Sequence, residues 1–271
     1  MSTADFYKKN RAYRAGAAVL DADAAKDYYR RYLKFITSHL PRGSSLLDIG
    51  SSTGMSAFCL ARAGYKTTAM DLCHDFFDPK LQSPALRFVG ADTRHLPFQS
   101  ESFEAIASYQ TLEHVADPAV ALDEMIRIVK PGGWLFVAGP NLLGLVPSIF
   151  ALLYAIPTTR PLRYWFRQQA GFPRYPFGTT YPQAVSVMLR NLMRVGRKAM
   201  SGDATFITRE PDFTEPAFAD SDSAYLLNPI DLVRYLEPRG FEIVDRRGDG
   251  PFGRLGALAG GTWIAARKNP S

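Results

Sequence analysis

Short apolar runs and longer periodic stretches alternate along this chain. Leu46, Leu47 and Ile49 make the first run, and 66–70, 86–89, 103–109 and 134–138 follow in turn. Runs this short, bounded by turn residues, predict strands buried in a sheet. Between them the apolar residues recur at helical spacing. Tyr28, Tyr29, Tyr32, Leu33, Phe35, Ile36 and Leu40 do so before the break at Pro41. Met55, Ala57, Phe58, Leu60 and Ala61 do so after Gly54. Asp117-Pro118 reads as a helix start, with Ala121, Leu122, Met125, Ile126, Ile128 and Val129 as its apolar face and Lys130-Pro131-Gly132-Gly133 as its end. Much later, 229–236 predicts a helix, and 241–244 and 262–266 predict two closing antiparallel strands. Strands alternating with helices predict an open, mostly parallel α/β sheet.

The stretch Leu46-Leu47-Asp48-Ile49-Gly50-Ser51-Ser52-Thr53-Gly54 organises this pattern as strand, glycine turn and helix start. Gly50 and Gly54 let the backbone turn sharply and pass close to a ligand. Such a turn points N–H groups into the crevice at the strand's carboxyl end. A dinucleotide loop would read G-x-G-x-x-G with an acid about twenty residues on. Asp71 meets the second condition, but Ser52 and Gly54 break the first. Asp48 beside the turn would repel a phosphate and suits a ligand with hydroxyls or positive charge. S-adenosylmethionine has both and no phosphate.

Asp48-Ile49-Gly50-Ser51-Ser52-Thr53-Gly54 resembles motif I of the class I S-adenosylmethionine-dependent methyltransferases, with Ser52 at the usual middle glycine. Further elements follow in order: Asp71 in 68–72, Asp92 in 89–92, Leu96-Pro97-Phe98, Phe103-Glu104-Ala105-Ile106, Leu112-Glu113-His114-Val115 and 129–133. The resemblance, to methyltransferases of type 11 and of ubiquinone biosynthesis, covers 40–140 and resumes near 228. It implies a Rossmann-like, seven-stranded, mostly parallel sheet with helices on both faces and a largely helical insertion after strand five. It implies three regions: an N-terminal helical cap at 1–40, a cofactor domain at 41–140 and 228–271, and an insertion at 141–227. It places S-adenosylmethionine against Asp48, Gly50, Ser52 and Gly54. Asp71 would accept the ribose hydroxyls with Leu72 beside it. Asp92, next to Thr93, would accept the adenine amino group. Tyr109 and Gln110 would stand beside the cofactor at the end of strand four. Tyr7, Tyr13 and Tyr28 are lid candidates.

Composition adjusts this picture in two places. Cys59 and Cys73 lack metal-type spacing and fit free thiols in a reducing compartment. Met1 to Arg14 carries no apolar signal core, so a cytoplasmic protein is expected, peripheral on the inner face of the membrane if it docks there. The net charge is +6, yet 158–200 alone holds Arg160, Arg163, Arg167, Arg174, Arg190, Arg194, Arg197 and Lys198 and no acid. The remainder of the chain is therefore slightly acidic. Leu142 to Ile156 is almost wholly apolar but short for a span and interrupted by Pro147. Tyr164, Trp165, Phe166, Phe172, Tyr175, Phe177 and Tyr181 are interleaved with arginines. Val185, Met188, Leu189, Leu192, Met193 and Val195 then alternate with Arg190, Arg194, Arg197 and Lys198, as in a basic amphipathic helix. Two readings stand for 142–200: a lid over the acceptor pocket, or a segment docked on an anionic membrane.

Methyl transfer from a sulfonium is an in-line displacement, and alignment supplies much of its rate. A hydroxyl acceptor also needs a base, for which His114, beside Glu113, is the candidate. In the ubiquinone-biosynthesis relatives an acid three residues before the glutamate helps hold a divalent metal. Here that position is Gln110, and no metal is expected. The function expected is methylation, at oxygen, of a small hydrophobic or lipid-linked acceptor. One alternative is a nucleic-acid methyltransferase, suggested by the basic insertion; no Asn-Pro-Pro-Tyr motif follows strand four. The other is a non-catalytic, membrane-associated S-adenosylmethionine binder. The oligomeric state has no signature in the sequence.

Overall fold

The computed structural model describes residues 5–7, 22–144, 181–211, 213, 222–248 and 261–270. Its strands are β1 Ser45–Ile49, β2 Lys66–Asp71, β3 Leu86–Gly90, β4 Phe103–Tyr109, β5 Val129–Pro140, β6 Phe241–Arg247 and β7 Gly261–Lys268. They form one seven-stranded sheet in the order β3-β2-β1-β4-β5-β7-β6. β1 runs parallel to β2 on one side and β4 on the other, with Asp48 opposite Ala69 and Ala107. β2–β3 and β4–β5 are also parallel. A parallel sheet covered on both faces buries nearly every residue of its central strands. Leu46, Leu47, Ala105, Ile106, Leu135 and Phe136 are accordingly fully enclosed. The chain divides into two compact units, 1–112 with 117–138 and 265–271, and 113–116 with 139–264.

In the first unit the N-terminal segment gives two helices, α1 Ala22–Tyr28 and α2 Arg30–Thr37, with Tyr29 between them. Tyr32, Phe35 and Ile36 form the buried face of α2, and Phe35 meets Phe136 edge-on at 5.6 Å. Tyr13 lies outside the described residues. Helix α3, Met55–Arg62, follows the glycine turn. Helix α4, Pro118–Ile128, starts where Pro118 fixes its first turn. It ends at Ile128, and Lys130–Gly133 belong to β5 rather than to the helix end expected from sequence. The register slips there, from Phe103 opposite Val129 to Ala105 opposite Trp134. Pro131 has no N–H for a ladder, so the four residues bulge out and the strand resumes behind them.

In the second unit, Tyr181–Ser201 is a helix of 21 residues, α5, as the periodicity predicts. The apolar run 145–156 and the arginines at 160–174 lie outside the described residues. Helix α6, Pro229–Leu236, is capped by Asn228, whose side chain accepts the Asp231 N–H at 3.0 Å. Lys198 is a correction. It does not share the outer basic face but is 2% exposed, with its Nζ 2.5 Å from Asp231 Oδ1 and a further bond to Thr205 Oγ1 at 3.1 Å. Asp231 Oδ2 accepts from Tyr225 Oη at 3.0 Å and Asn228 Nδ2 at 2.8 Å. A buried ion pair broken from one side leaves an uncompensated charge, at about 3–5 kcal/mol. Lys198→Met should lower unfolding stability by about that much, and adding Asp231→Asn should recover part of it. Denaturant unfolding of the two variants checks this; additive losses would mean the pair is not coupled.

Candidate functional site

The turn after β1 is tied to β2 by its own backbone. Gly50 and Ser51 both donate N–H to the carbonyl of Met70, at 2.8 and 3.0 Å. Ser52 takes φ = 50°, which aims its N–H at Asp71 Oδ2, 2.8 Å away. Asp71 Oδ1 accepts the N–H of Cys73 at 2.9 Å. One carboxylate thus holds the turn after β1 and the turn after β2 together. Burial raises its pKa, and the N–H donors from Cys73 and Ser52 oppose that rise. Gly50 has φ = 73° and lies under Thr111, whose side chain an added Cβ would overlap. Gly54 has φ = 86°, and an added Cβ would come within 2.5 Å of the Phe88 ring. Neither position tolerates a side chain, which explains why the turn keeps these two glycines and accepts Ser52 between them.

The expected site residues do not all share one environment. Gly50, Ser52, Gly54, Asp71 and Leu72 come together around the turn, with Leu72 43% exposed beside the Asp71 carboxylate. Asp48 does not face solvent. It is 1% exposed and accepts from Tyr32 Oη at 2.6 Å and Ser56 Oγ at 2.5 Å, joining α2 to α3. Tyr32 in turn stacks on Tyr109 at 4.8 Å. Sequence reasoning placed Tyr32 among the packing residues and looked to Tyr28, which is exposed, for lid contacts; nothing local marks Tyr32 as the partner of Asp48. Gln110 ends β4 with φ = 54° and donates its N–H to Ala138 O at 2.7 Å. Asp92, adjacent to Thr93, is held by Arg94: Oδ1 accepts its N–H at 2.9 Å and Oδ2 accepts Nη2 at 2.7 Å. Those contacts hold the Asp92 carboxyl below the ordinary carboxylate range. Arg94 carries no sequence signal that would have singled it out.

In the second unit, Glu113 and His114 end a single 3-10 turn, Leu112–His114. The Glu113 carbonyl accepts two N–H groups, from Ala224 at 2.8 Å and Tyr225 at 2.9 Å. That junction brings Asp222 to His114, with Oδ2 3.1 Å from Nδ1. Glu113 Oε1 lies 3.8 Å from Nε2. Both carboxylates are wholly enclosed, whereas the imidazole is 18% exposed. Asp222 stands far from His114 in sequence and had no motif to reveal it.

Comparison with known proteins bears on residues 47–137, which match the family described as a methyltransferase domain. Residues 47–137 form a class I methyltransferase domain. The chain is 37% identical over 97 residues to demethylmenaquinone methyltransferase of Renibacterium salmoninarum, covering 35% of this chain and 41% of that protein. It is 34% identical over 116 residues to ubiquinone biosynthesis O-methyltransferase of Xylella fastidiosa, covering 40% and 47%. The chain thus matches less than half the length of these curated relatives. An S-adenosylmethionine-dependent methyltransferase from Mesorhizobium loti superposes with a TM-score of 0.56 at 14% identity, covering 92% of this chain and 100% of that one. The Burkholderia thailandensis 1,6-didemethyltoxoflavin-N1-methyltransferase, solved with S-adenosylhomocysteine, gives 0.54 at 14% identity, covering 98% and 88%. These two show a shared fold.

The buried acid of the methyltransferase domain gives a pH test. Burial pushes the Asp48 carboxyl from the ordinary 3.8 up to about 6, against the hydrogen bonds from Ser56 and Tyr32, which lower it; the charge of Asp71 adds to the rise. Between those values the folded chain keeps a proton that the unfolded chain has released. Stability therefore falls as pH rises from about 4 to about 6, by roughly 3 kcal/mol. Asp48→Asn lets Tyr32 donate to the amide oxygen and the amide donate to Ser56, without the charge. In denaturant unfolding the variant should gain on the wild type by roughly that amount between pH 4 and pH 7. A stability difference that does not change with pH would contradict this assignment.

Proposed function

We propose that this chain transfers the methyl group of S-adenosylmethionine to a hydroxyl of a hydrophobic acceptor carried by a membrane. The observation that carries the cofactor part is the Ser52–Asp71 clamp with Leu72 exposed beside it. Each Asp71 oxygen accepts one backbone N–H and retains a lone pair for one of two neighbouring hydroxyls. Leu72 offers an apolar surface to a flat base. A carboxylate next to an apolar face, at the end of β2, fits a nucleoside with an open ribose. When bound, the cofactor supplies a methyl group on a positively charged sulfur. The residues of this chain bind the nucleoside, exclude bulk from the turn, and hold a base for the acceptor's proton. Asp48 supports the turn from below through Ser56 and Tyr32 rather than by touching the ligand.

His114 is the base in this reading, and Glu113 stands beside it. The acceptor class rests on the relatives, whose names specify demethylmenaquinone methylation and O-methylation in ubiquinone biosynthesis. The membrane part rests on α5. Leu189, Leu192 and Met193 are about half exposed and Met200 is 83% exposed, while Asn191 and Lys198 are buried. The helix therefore turns apolar residues outward, next to the exposed Arg190 and Arg197. An apolar face flanked by cations fits the headgroup boundary of an anionic bilayer. Among the described residues no helix is long and apolar enough to cross a membrane.

One experiment tests the assembly. The full chain is mixed with labelled S-adenosylmethionine and anionic vesicles that carry a quinol with a free hydroxyl. Label should pass to the quinol oxygen, and His114→Ala should lower kcat by about 100-fold or more without loss of cofactor affinity. Replacing Arg190, Arg194 and Arg197 by Gln should weaken vesicle co-sedimentation by on the order of 100-fold at low salt. A wild-type protein that ignores anionic vesicles at low salt contradicts the membrane reading, and near-normal kcat in His114→Ala contradicts the base.

A further inference from the structure

The turn 50–54 spends its backbone donors inside the protein. Gly50 and Ser51 donate N–H to the Met70 carbonyl, Ser52 to Asp71 Oδ2, and Gly54 to the Ser51 carbonyl at 2.8 Å. A ligand received at this turn finds those four donors already engaged. Side-chain hydroxyls are the polar groups that remain, and most of these are engaged too. Ser51 Oγ donates to Met70 O at 3.3 Å and Ser56 Oγ to Asp48 Oδ2 at 2.5 Å. Thr111 Oγ1 bonds the Ile49 and Tyr109 carbonyls at 3.2 and 3.0 Å. Thr53 is nearly enclosed. Ser52 is partly exposed, and its hydroxyl makes no hydrogen bond among the described residues.

Ser52 also holds a backbone conformation that its side chain disfavours. Its φ is 50°, in the left-handed region that glycine enters freely and a residue with a Cβ enters at a cost. A glycine there would make the same N–H bond to Asp71 without that cost. Gly50 and Gly54 stay glycine because a Cβ would collide with Thr111 or Phe88. Position 52 instead accommodates a side chain, and that side chain carries an unspent hydroxyl. Strain kept in a turn beside a candidate site points to a use for the group that causes it.

We propose that the Ser52 hydroxyl is a ligand contact, donating its hydrogen to a ribose hydroxyl of S-adenosylmethionine that itself donates to Asp71. This rests on the nucleoside reading of the turn and extends it by one residue. An ionised carboxylate only accepts, so a ribose hydroxyl bound to Asp71 gives up its hydrogen and leaves its oxygen lone pairs open. Ser52 supplies a donor for such an oxygen from the residue whose own N–H ends on Asp71 Oδ2. Carboxylate, ribose hydroxyl and serine hydroxyl then form one chain in which each bond polarises the next. A glycine at position 52 would hold the carboxylate equally well but leave the ribose oxygen to water.

The test is calorimetric titration of the full chain with S-adenosylhomocysteine and with its 2′-deoxy and 3′-deoxy analogues, in the wild type, Ser52→Ala and Ser52→Gly. Both variants keep the backbone N–H and with it the bond to Asp71, so a loss of affinity reports the hydroxyl. Each should bind S-adenosylhomocysteine about 3- to 10-fold more weakly than the wild type does. With at least one deoxy analogue that penalty should vanish, because the oxygen that Ser52 serves is gone. Ser52→Gly suits the left-handed backbone and carries the test if Ser52→Ala does not fold. A Ser52→Gly that binds as tightly as the wild type overturns the proposal. A penalty of the same size for S-adenosylhomocysteine and for both deoxy analogues overturns it as well. A wild type that binds no S-adenosylhomocysteine sinks the nucleoside reading and this contact with it, whereas tight wild-type binding with an unchanged Ser52→Gly sinks the hydroxyl contact alone.

Discussion

The fold of the first unit turns on the bond between the Ser52 N–H and the Asp71 carboxylate. A parallel sheet ends in a row of open turns, and each must leave its strand without burying unpaired backbone groups. Here the turn after β1 meets that demand on β2: two N–H groups go to the Met70 carbonyl and a third to Asp71. Ser52 and Gln110 both sit at positive φ beside this turn or the end of β4, conformations that cost energy for residues with a Cβ. Such backbone persists because the surrounding bonds over-determine it. The result is a turn whose backbone N–H groups are engaged, packed under Thr111 and beside Phe88 at the carboxyl end of β1.

Beneath the turn lies the buried Asp48 carboxylate, which links the N-terminal helix to the helix after the turn through Tyr32 and Ser56. Tyr32 also stacks on Tyr109 at the end of β4. A single acid thus sets α2, α3 and β4 in relation to one another within this unit. Its raised pKa is the cost of using a charge for that purpose in the interior. The Asp48 and Asp71 carboxylates look alike as letters in the motif; their surroundings give them different work.

How far the sequence was legible depends on how local each feature is. The central strands and α3, α4 and α6 were readable because their periodicity is a property of neighbouring residues. The glycine turn was readable because only small residues survive under Thr111 and beside Phe88. The fate of Lys130–Gly133 was misread: Pro and Gly signal a break, but the same letters serve a helix end or a strand bulge, and the β4 register decides between them. Asp48 was expected at the ligand because it adjoins the glycine turn in sequence; that it is enclosed beneath Tyr32, sixteen residues away, has no local signal. Lys198 was assigned to the outer face because helical spacing put it among arginines, while its partner Asp231 lies on another helix. Asp222 had no local signal at all, since only the folded chain brings it to His114.

The central claim is that the turn 50–54 with Asp71 and Leu72 is a nucleoside site for S-adenosylmethionine. Calorimetric titration of the full chain with S-adenosylhomocysteine tests it most directly, in the wild type and in Asp71→Ala. The account predicts one ligand bound per chain, with affinity about 10- to 100-fold weaker in the variant because the ribose hydroxyls lose a charged acceptor and the turn loses its clamp. A wild-type protein that shows no binding, or a folded Asp71→Ala that binds as tightly as the wild type, would contradict it.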